Sequence, residues 1–373
     1  MRVKSFRRAI VLPFIFSIGC VVAAAQTPTP TPKSKATPDD EVIKVESRLV
    51  VVPVSVTDRS GNAVTGLGPT DFNIVEGGRP QTIEQVGNAD KVPLEIVLLF
   101  DVSASTDAMF GYELQTASKF LEEVMRPEDR ATVFSIGEMP VLVHARDTAQ
   151  NAAAAVKTIQ PTKGFTAFYD TVAAAADYLR KNAPEGTRRV VLVVSDGEDT
   201  NSARIAKAIQ DGYRKAGDKV NTLDQKTLYQ MTVANRNEAA IKERVRVLQL
   251  LQNSDTVFYS INPAGSSFQL NQMSVFGQDN MQKFADDTGG TAFLPKFQPL
   301  ATKDNYQNEL NRKHNSEMLD QIFRQIANEL RSQYLVQYYS EAHYPLGQYV
   351  KLDVGVKNRS DARIRARQGY YVK

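Results

Sequence analysis

Leu94-Glu95-Ile96-Val97-Leu98-Leu99-Phe100-Asp101-Val102-Ser103-Ala104-Ser105 is an apolar run that stops at an aspartate and continues into two serines two residues apart. The continuous apolar stretch Ile96 to Phe100 suits a short strand buried on both faces, as at the centre of a parallel sheet. Open α/β sheets bind ligands outside the carboxyl ends of their strands. The hard oxygens of Asp101, Ser103 and Ser105 therefore fall where such a fold places a site. The plainer alternative is that Asp101 and Ser103 only cap the helix that follows.

Around this stretch, residues 92–332 alternate between strand and helix patterns. Strands are expected at Arg130–Ile136, at Arg189–Asp196, at Asp255–Ile261 and at Thr291–Leu294, with a short edge strand at Val141–Val143. Helices are expected at Tyr112–Met125, Thr148–Ile159, Phe168–Asn182, Asn280–Thr288 and Ser316–Arg331. This order predicts an α/β fold, a doubly wound, Rossmann-like and mostly parallel sheet. About 201–253 is too long and too polar for a simple connection, and reads as an insertion of two or more helices.

A second strand ends as the first does: Val190 to Val194 runs into Ser195-Asp196-Gly197. In a doubly wound sheet the first and fourth strands are neighbours, which sets Asp101 and Asp196 side by side. Two adjacent carboxylates repel unless a cation lies between them. Magnesium takes six oxygens and keeps some waters. Ser103 and Ser105 offer neutral hydroxyls, and the loop Gly164-Phe165-Thr166 offers a third from Thr166. The expected metal set is Asp101, Ser103, Ser105, Thr166 and Asp196, holding Mg2+, with Mn2+ or Ca2+ as the other candidates. Glu198 and Asp199 read as loop acids or helix-start charges rather than ligands.

Asp101-x-Ser103-x-Ser105, then Gly164-x-Thr166-Ala167-x-Tyr169-Asp170, then Ser195-Asp196-Gly197-Glu198-Asp199 resemble the metal-ion-dependent adhesion site (MIDAS) of von Willebrand factor A domains. The resemblance covers roughly 92–332. It implies that Ser103 and Ser105 bind the metal directly. It implies that Thr166 and the aspartates bind directly or through water, and that a partner's carboxylate completes the coordination. Outside that span, Val56-Thr57-Asp58-x-x-Gly61, Asp71-Phe72, Gly77-Gly78-x-Pro80-Gln81 and Ala366-Arg367-Gln368-Gly369-Tyr370-Tyr371 are similar to a family of exported bacterial VWFA-related proteins, known chiefly from acidobacteria. The insertion at 201–253 departs from the common pattern.

The flanks themselves read as β structure. Residues 42–91 hold strand patterns at Leu49–Val56, Phe72–Glu76 and Gln81–Val86, and 333–373 hold them at Gln333–Tyr339, Tyr349–Val356 and Arg363–Arg367. Each flank is too small for a core of its own. The two are expected to pair into one small β-sandwich into which the α/β domain is inserted, with separate N- and C-terminal β units as the alternative.

The N-terminus reads as a targeting signal. Arg2, Lys4, Arg7 and Arg8 precede the apolar Ile10–Val22, and Ala23-Ala24-Ala25 supplies a cleavage site, so 1–25 is expected to be a signal peptide. An uncleaved anchor is the alternative. A lipid on Cys20 is less favoured, since Ser17 stands where a lipoprotein signal prefers Leu. Residues 26–41, with Thr27-Pro28-Thr29-Pro30-Thr31-Pro32, form an extended linker. Removing 1–25 takes away four basic residues, leaving 41 basic against 42 acidic, a net charge of −1. Nucleic acid is therefore not an expected partner. The only cysteine also departs, so the exported, periplasmic or surface-located protein is expected to have no disulfides.

The expected function is metal-dependent binding of a protein or surface ligand that offers a carboxylate, and not catalysis. Ser103 stands where an aspartyl phosphotransferase usually has a second acid. No G-x-S-x-G, C-x-x-C or H-E-x-x-H occurs, and the histidines are only His144, His314 and His343. The alternatives are a structural scaffold in which metal only stabilises the fold, and a metal-dependent hydrolase.

Overall fold

The structure, a computed structural model, is described over residues 47–103, 109–162, 164–263, 272–300 and 302–372. The expected signal peptide, linker, Cys20 and Ser105 lie outside these residues. Among the described residues no helix is long and apolar enough to cross a membrane.

The N-terminal flank forms β1 (Arg48–Thr57), β2 (Phe72–Glu76), β3 (Arg79–Gln81) and β4 (Ile83–Asn88). The α/β part follows with β5 (Leu94–Asp101), α1 (Phe110–Val124), β6 (Arg130–Ile136), β7 (Pro140–Asp147), α2 (Ala149–Val156), α3 (Phe168–Asn182) and β8 (Arg188–Val194). It continues with α4 (Ala203–Ala216), α5 (Gln225–Asn253), β9 (Thr256–Ile261), α6 (Gln272–Thr288), β10 (Ala292–Phe293) and α7 (Asn305–Arg331). The C-terminal flank is β11 (Gln333–Ser340), β12 (Tyr349–Val356), β13 (Arg363–Ala366) and β14 (Gly369–Tyr371).

The central sheet has the order β10-β9-β8-β5-β6-β7, parallel except for the antiparallel edge strand β7. All eight residues of β5 are buried. Its side chains divide by the period of two. Leu94, Ile96, Leu98 and Phe100 pack with residues of α1, α2 and α7, while Val97 and Leu99 pack with residues of α3, α5 and α6. Helices thus cover both faces. The chain winds outward from β5 through β6 and β7, then returns to the other side at β8. The strand order reverses between β5 and β8, which is where such sheets open a crevice.

The flanks interleave. One four-stranded sheet runs β13-β1-β11-β4 and the other β14-β12-β2-β3. β1 pairs with β11 from Arg48↔Ser340 to Ser55↔Gln333, and β12 pairs with β2 from Leu352↔Glu76 to Val356↔Phe72. Neither flank could close this core alone, since each sheet draws strands from both ends of the chain.

Some elements differ from expectation. The third flank strand is two strands. β3 pairs with β2, and after Thr82 the chain crosses to the opposite sheet, where β4 pairs with β11. α6 begins eight residues earlier than its periodicity suggests, and α7 eleven residues earlier. Asp304 caps α7 by accepting from Tyr306 N at 2.9 Å. Within 201–253, the second half of α5 belongs to the domain core, where Ala239, Ala240, Val247, Leu248 and Leu251 are buried.

Candidate functional site

Asp101 closes β5 and is only 6% exposed. One carboxylate oxygen accepts from the backbone N of Ser103 at 2.9 Å and from its hydroxyl at 2.6 Å. The other accepts from the hydroxyl of Ser195 at 2.6 Å. The strand register explains this last contact. Phe100 lies opposite Val194, so the next residue of each chain, Asp101 and Ser195, come level. Ser195 also accepts from Gly197 N at 3.0 Å, which folds the turn after β8.

Asp196 follows on that turn. It accepts from the backbone N of Glu198 at 2.9 Å, and Gly197 takes the left-handed conformation at φ +76°. The turn presses against α6. A side-chain carbon on Gly197 would lie 2.6 Å from the carbonyl oxygen of Gly277, and one on Gly277 would lie 2.8 Å from that of Asp196. Two glycines therefore let α6 approach the turn that carries Asp196.

Thr166 is buried in the third loop. Its backbone N donates to the Thr200 hydroxyl at 2.8 Å, and its carbonyl accepts from the N of Thr200 at 2.8 Å and of Asn201 at 3.0 Å. The Asn201 side chain donates to the carbonyl of Glu138 at 2.7 Å, Thr162 N donates to the carbonyl of Val102 at 2.7 Å, and Ala167 N to that of Gly137 at 2.7 Å. The loops after β5, β6 and β8 and the loop before α3 are thus stitched into one rim. Asp199 accepts from Tyr169 N at 3.0 Å and from Ser202 N at 3.0 Å, so it serves the start of α3.

Burial pushes the Asp101 carboxyl above its usual range, against the hydrogen bonds from Ser103 and Ser195, and the charge of Glu198 adds to the rise. Burial likewise pushes Asp196 up to about 6, and the nearby charges of Asp101 and Glu198 add to it. Among the described residues neither carboxylate takes part in an ion pair. The rim therefore holds two desolvated acids that repel, faced by hydroxyls. That donor set is all hard oxygen and suits a divalent cation such as Mg2+, Mn2+ or Ca2+. His144 lies on β7, paired with Asp147, while His314 lies on α7 and His343 in the loop after β11. Among the described residues none of the three histidines belongs to the rim.

The model of the von Willebrand factor type A domain family matches residues 96–198, from the middle of β5 to the turn carrying Asp196. This chain carries a von Willebrand factor type A (VWA) domain. VWA domains with a MIDAS bind divalent cations and commonly mediate metal-dependent protein interaction. No curated protein matches the chain. It is similar to an aerotolerance-related membrane protein of Bacteroides fragilis, at 14% identity over 60% of this chain and 100% of that one, with a TM-score of 0.33. It is similar to proximal thread matrix protein 1 of the mussel byssus, solved with a zinc-occupied MIDAS motif, at 12% identity over 68% of this chain and 50% of that one, with a TM-score of 0.41. It is also similar to the PilB minor pilin of Streptococcus sanguinis, at 11% identity over 63% of this chain and 62% of that one, with a TM-score of 0.38.

Within this VWA domain, Asp101 and Ser103 share hydrogen bonds, Asp196 sits beyond the Ser195 that bonds Asp101, and Thr166 is tied to the same rim through Thr200. Ser105 lies outside the described residues. Sequence reasoning quoted Ser195 without giving it a role. The signal was present in its position, one residue past the strand and level with Asp101. The Gly197–Gly277 contact joins residues 80 apart and has no local signature.

Proposed function

We propose that this protein is an exported binding module whose VWA domain recognises an acidic group of a protein or surface partner through a divalent cation. Asp101, Ser103, Ser105, Thr166 and Asp196 are the residues that would hold the cation. When bound, the cation supplies positive charge and an open coordination position for a carboxylate. The chain's own contribution is positioning. Ser195 fixes one oxygen of Asp101, the backbone of Glu198 orients Asp196, and the loop bonds of Thr166 hold the rim rigid.

The observation that carries this reading is the pair of buried acids Asp101 and Asp196 at neighbouring strand ends, which enters no ion pair among the described residues. Members of this domain family are typically adhesion or scaffold modules rather than enzymes, which supports a binding role. The signal-like N-terminus supports a location outside the cytoplasm, with the Thr/Pro linker as a tether.

The test is retention of a partner from an envelope extract by the immobilised protein, with magnesium or with EDTA. The expected result is retention that needs magnesium and is lost with Asp101→Ala, while circular dichroism shows the variant folded. Retention indifferent to both changes would overturn the reading.

A further inference from the structure

The segment after Asp196 does not return directly to the sheet. α4 begins at Ala203, on the rim itself, where Ala203 N donates to Asp170 at 2.7 Å. From there it packs chiefly against the first half of α5. Tyr213 and Thr232 share a hydrogen bond at 2.6 Å, and Gly212 lies close enough to Asn235 that a side-chain carbon there would clash. At the base, Ile205 and Ala240 line one crevice with Tyr169 and Asp199. These pairs fix an antiparallel hairpin with its base at the rim. α5 then runs down beside the sheet from Ala239, where its buried residues begin. Residues 203–238 accordingly stand beyond the sheet on the side of Asp101 and Asp196. The 14 residues of α4 give this arm a reach of roughly 20 Å at 1.5 Å per residue.

The arm is basic. Residues 203–238 hold seven Lys or Arg and four Asp or Glu, while residues 26–373 as a whole carry a net charge of −1. Its acids are largely spent. Asp211 pairs with Arg214, Asp224 caps α5 through Thr227 N at 2.9 Å, and Glu238 pairs with Lys242 at 2.6 Å. Lys207, Lys215, Lys219 and Lys226 are exposed, and among the described residues none of them enters an ion pair. Lys207 lies in the first half of α4, Lys215 at its end, Lys219 in the connecting turn and Lys226 in the first turn of α5.

We infer that this hairpin is a second contact arm for an acidic protein partner, reading negative charge that extends from the carboxylate held at the rim. The inference rests on the proposed reading of the site. The arm and the site share one charge preference, and an acidic chain leaving the site along the arm would pass Lys207 before the three lysines near the tip. An extended peptide covers about 3.4 Å per residue, so some six residues span the arm.

The test uses the full chain, a two-residue Asp-containing peptide and a ten-residue Asp/Glu peptide, both labelled, in magnesium and in EDTA. Wild type is compared with Asp101→Ala and with the combined Lys207→Glu, Lys215→Glu, Lys219→Glu and Lys226→Glu variant. The four lysines are exposed and, among the described residues, enter no ion pair, so the variant is expected to fold as wild type by circular dichroism. The expected result is that charge reversal weakens magnesium-dependent binding of the ten-residue peptide by about tenfold and leaves the two-residue peptide unchanged. Loss of the long peptide with Asp101→Ala, but none with charge reversal, would overturn the arm and leave the site reading intact. Equal weakening of both peptides by charge reversal would overturn the claim of reach. No effect of Asp101→Ala on either peptide would overturn the site reading and the arm with it. Binding to anionic vesicles that needs the lysines but not magnesium, with no peptide effect, would assign the arm to a lipid surface and overturn the proposal.

Discussion

β5 carries a buried carboxylate at each end, on the same face of the strand, and the two are treated in opposite ways. Glu95, 3% exposed, is met by Arg146 of β7 through three hydrogen bonds of 2.7 to 3.1 Å. Its charge is neutralised inside the fold, and its hydrogen bonds in turn hold the Arg146 pKa up. Asp101, six residues on, receives a backbone N–H and hydroxyls from the described residues, and the nearby charge of Glu198 raises the cost of ionising it. A third buried acid, Glu76 of the sandwich, is met by hydroxyls and, among the described residues, enters no ion pair, but it stands without a second acid beside it. It accepts from Tyr338 at 2.9 Å, from Ser340 at 2.6 Å and from Tyr370. The fold can satisfy a buried carboxylate where it needs to. What sets the switch point apart is that two buried acids stand together there, the charge of Asp101 adding to the cost of ionising Asp196, an arrangement that a cation from outside would relieve.

This contrast can be broken from either end. The largest effect is expected at Glu95. Arg146→Ala leaves a buried carboxylate unpaired and should lower unfolding stability by about 3 kcal/mol in a denaturant titration. A loss below about 1 kcal/mol would mean that Glu95 is no better satisfied than Asp101.

At the switch point ionisation costs stability instead of being compensated. The Asp196 carboxyl is raised from 3.8 to about 6 in the folded protein, so between those values the native state holds more protons than the unfolded one. In EDTA, stability should therefore fall as pH rises from about 4 to about 6, by up to roughly 3 kcal/mol. The same titration of Asp196→Asn should lack this component. Magnesium should raise the melting temperature more at pH 7 than at pH 4.5, because the acids must be ionised to hold it. A wild-type profile in EDTA that matches Asp196→Asn would remove the electrostatic argument.

Gly277→Ala sharpens the geometry. Its new methyl would press on the backbone of Asp196 and Gly197, costing about 1–3 kcal/mol. It should also weaken magnesium binding, whereas an equally destabilising change in the sandwich should not. The smallest effect is the most pointed. Asp101→Asn removes a buried charge and is expected to stabilise the metal-free protein by about 1 kcal/mol, while Glu95→Gln destabilises it. Opposite signs for the same chemical change would place the difference in the surroundings rather than in the residue type.

Much of this was legible in the sequence, for physical reasons. The apolar run to Phe100 and the run to Val194 could only be inner strands. The switch-point rule then placed Asp101 beside the turn of Asp196 without any contact information. Phe168–Asn182 is a helix over the expected residues because its apolar positions face a core throughout. What escaped were features whose cause lies far away in the chain. Gln81 and Ile83 look like one strand because both are strand-like, and only their pairing with different sheets separates them. The early turns of α7 are polar, with Asn311 and Asn315 bonding backbone carbonyls near Pro299 and Gln298 instead of filling an apolar core. Gln225–Ala234 shows little periodicity because its partner is a single helix and its other sides face solvent. Ser195, a strand-end residue by pattern, became a positioning residue only through register with β5.

The most direct test of the central claim is titration calorimetry of the metal-free protein with magnesium, and with manganese as a second probe. The account predicts one cation bound per wild-type chain and none by Asp101→Ala or Asp196→Ala, each folded by circular dichroism. Equal binding by wild type and both variants, or no binding by wild type to either cation, would contradict it.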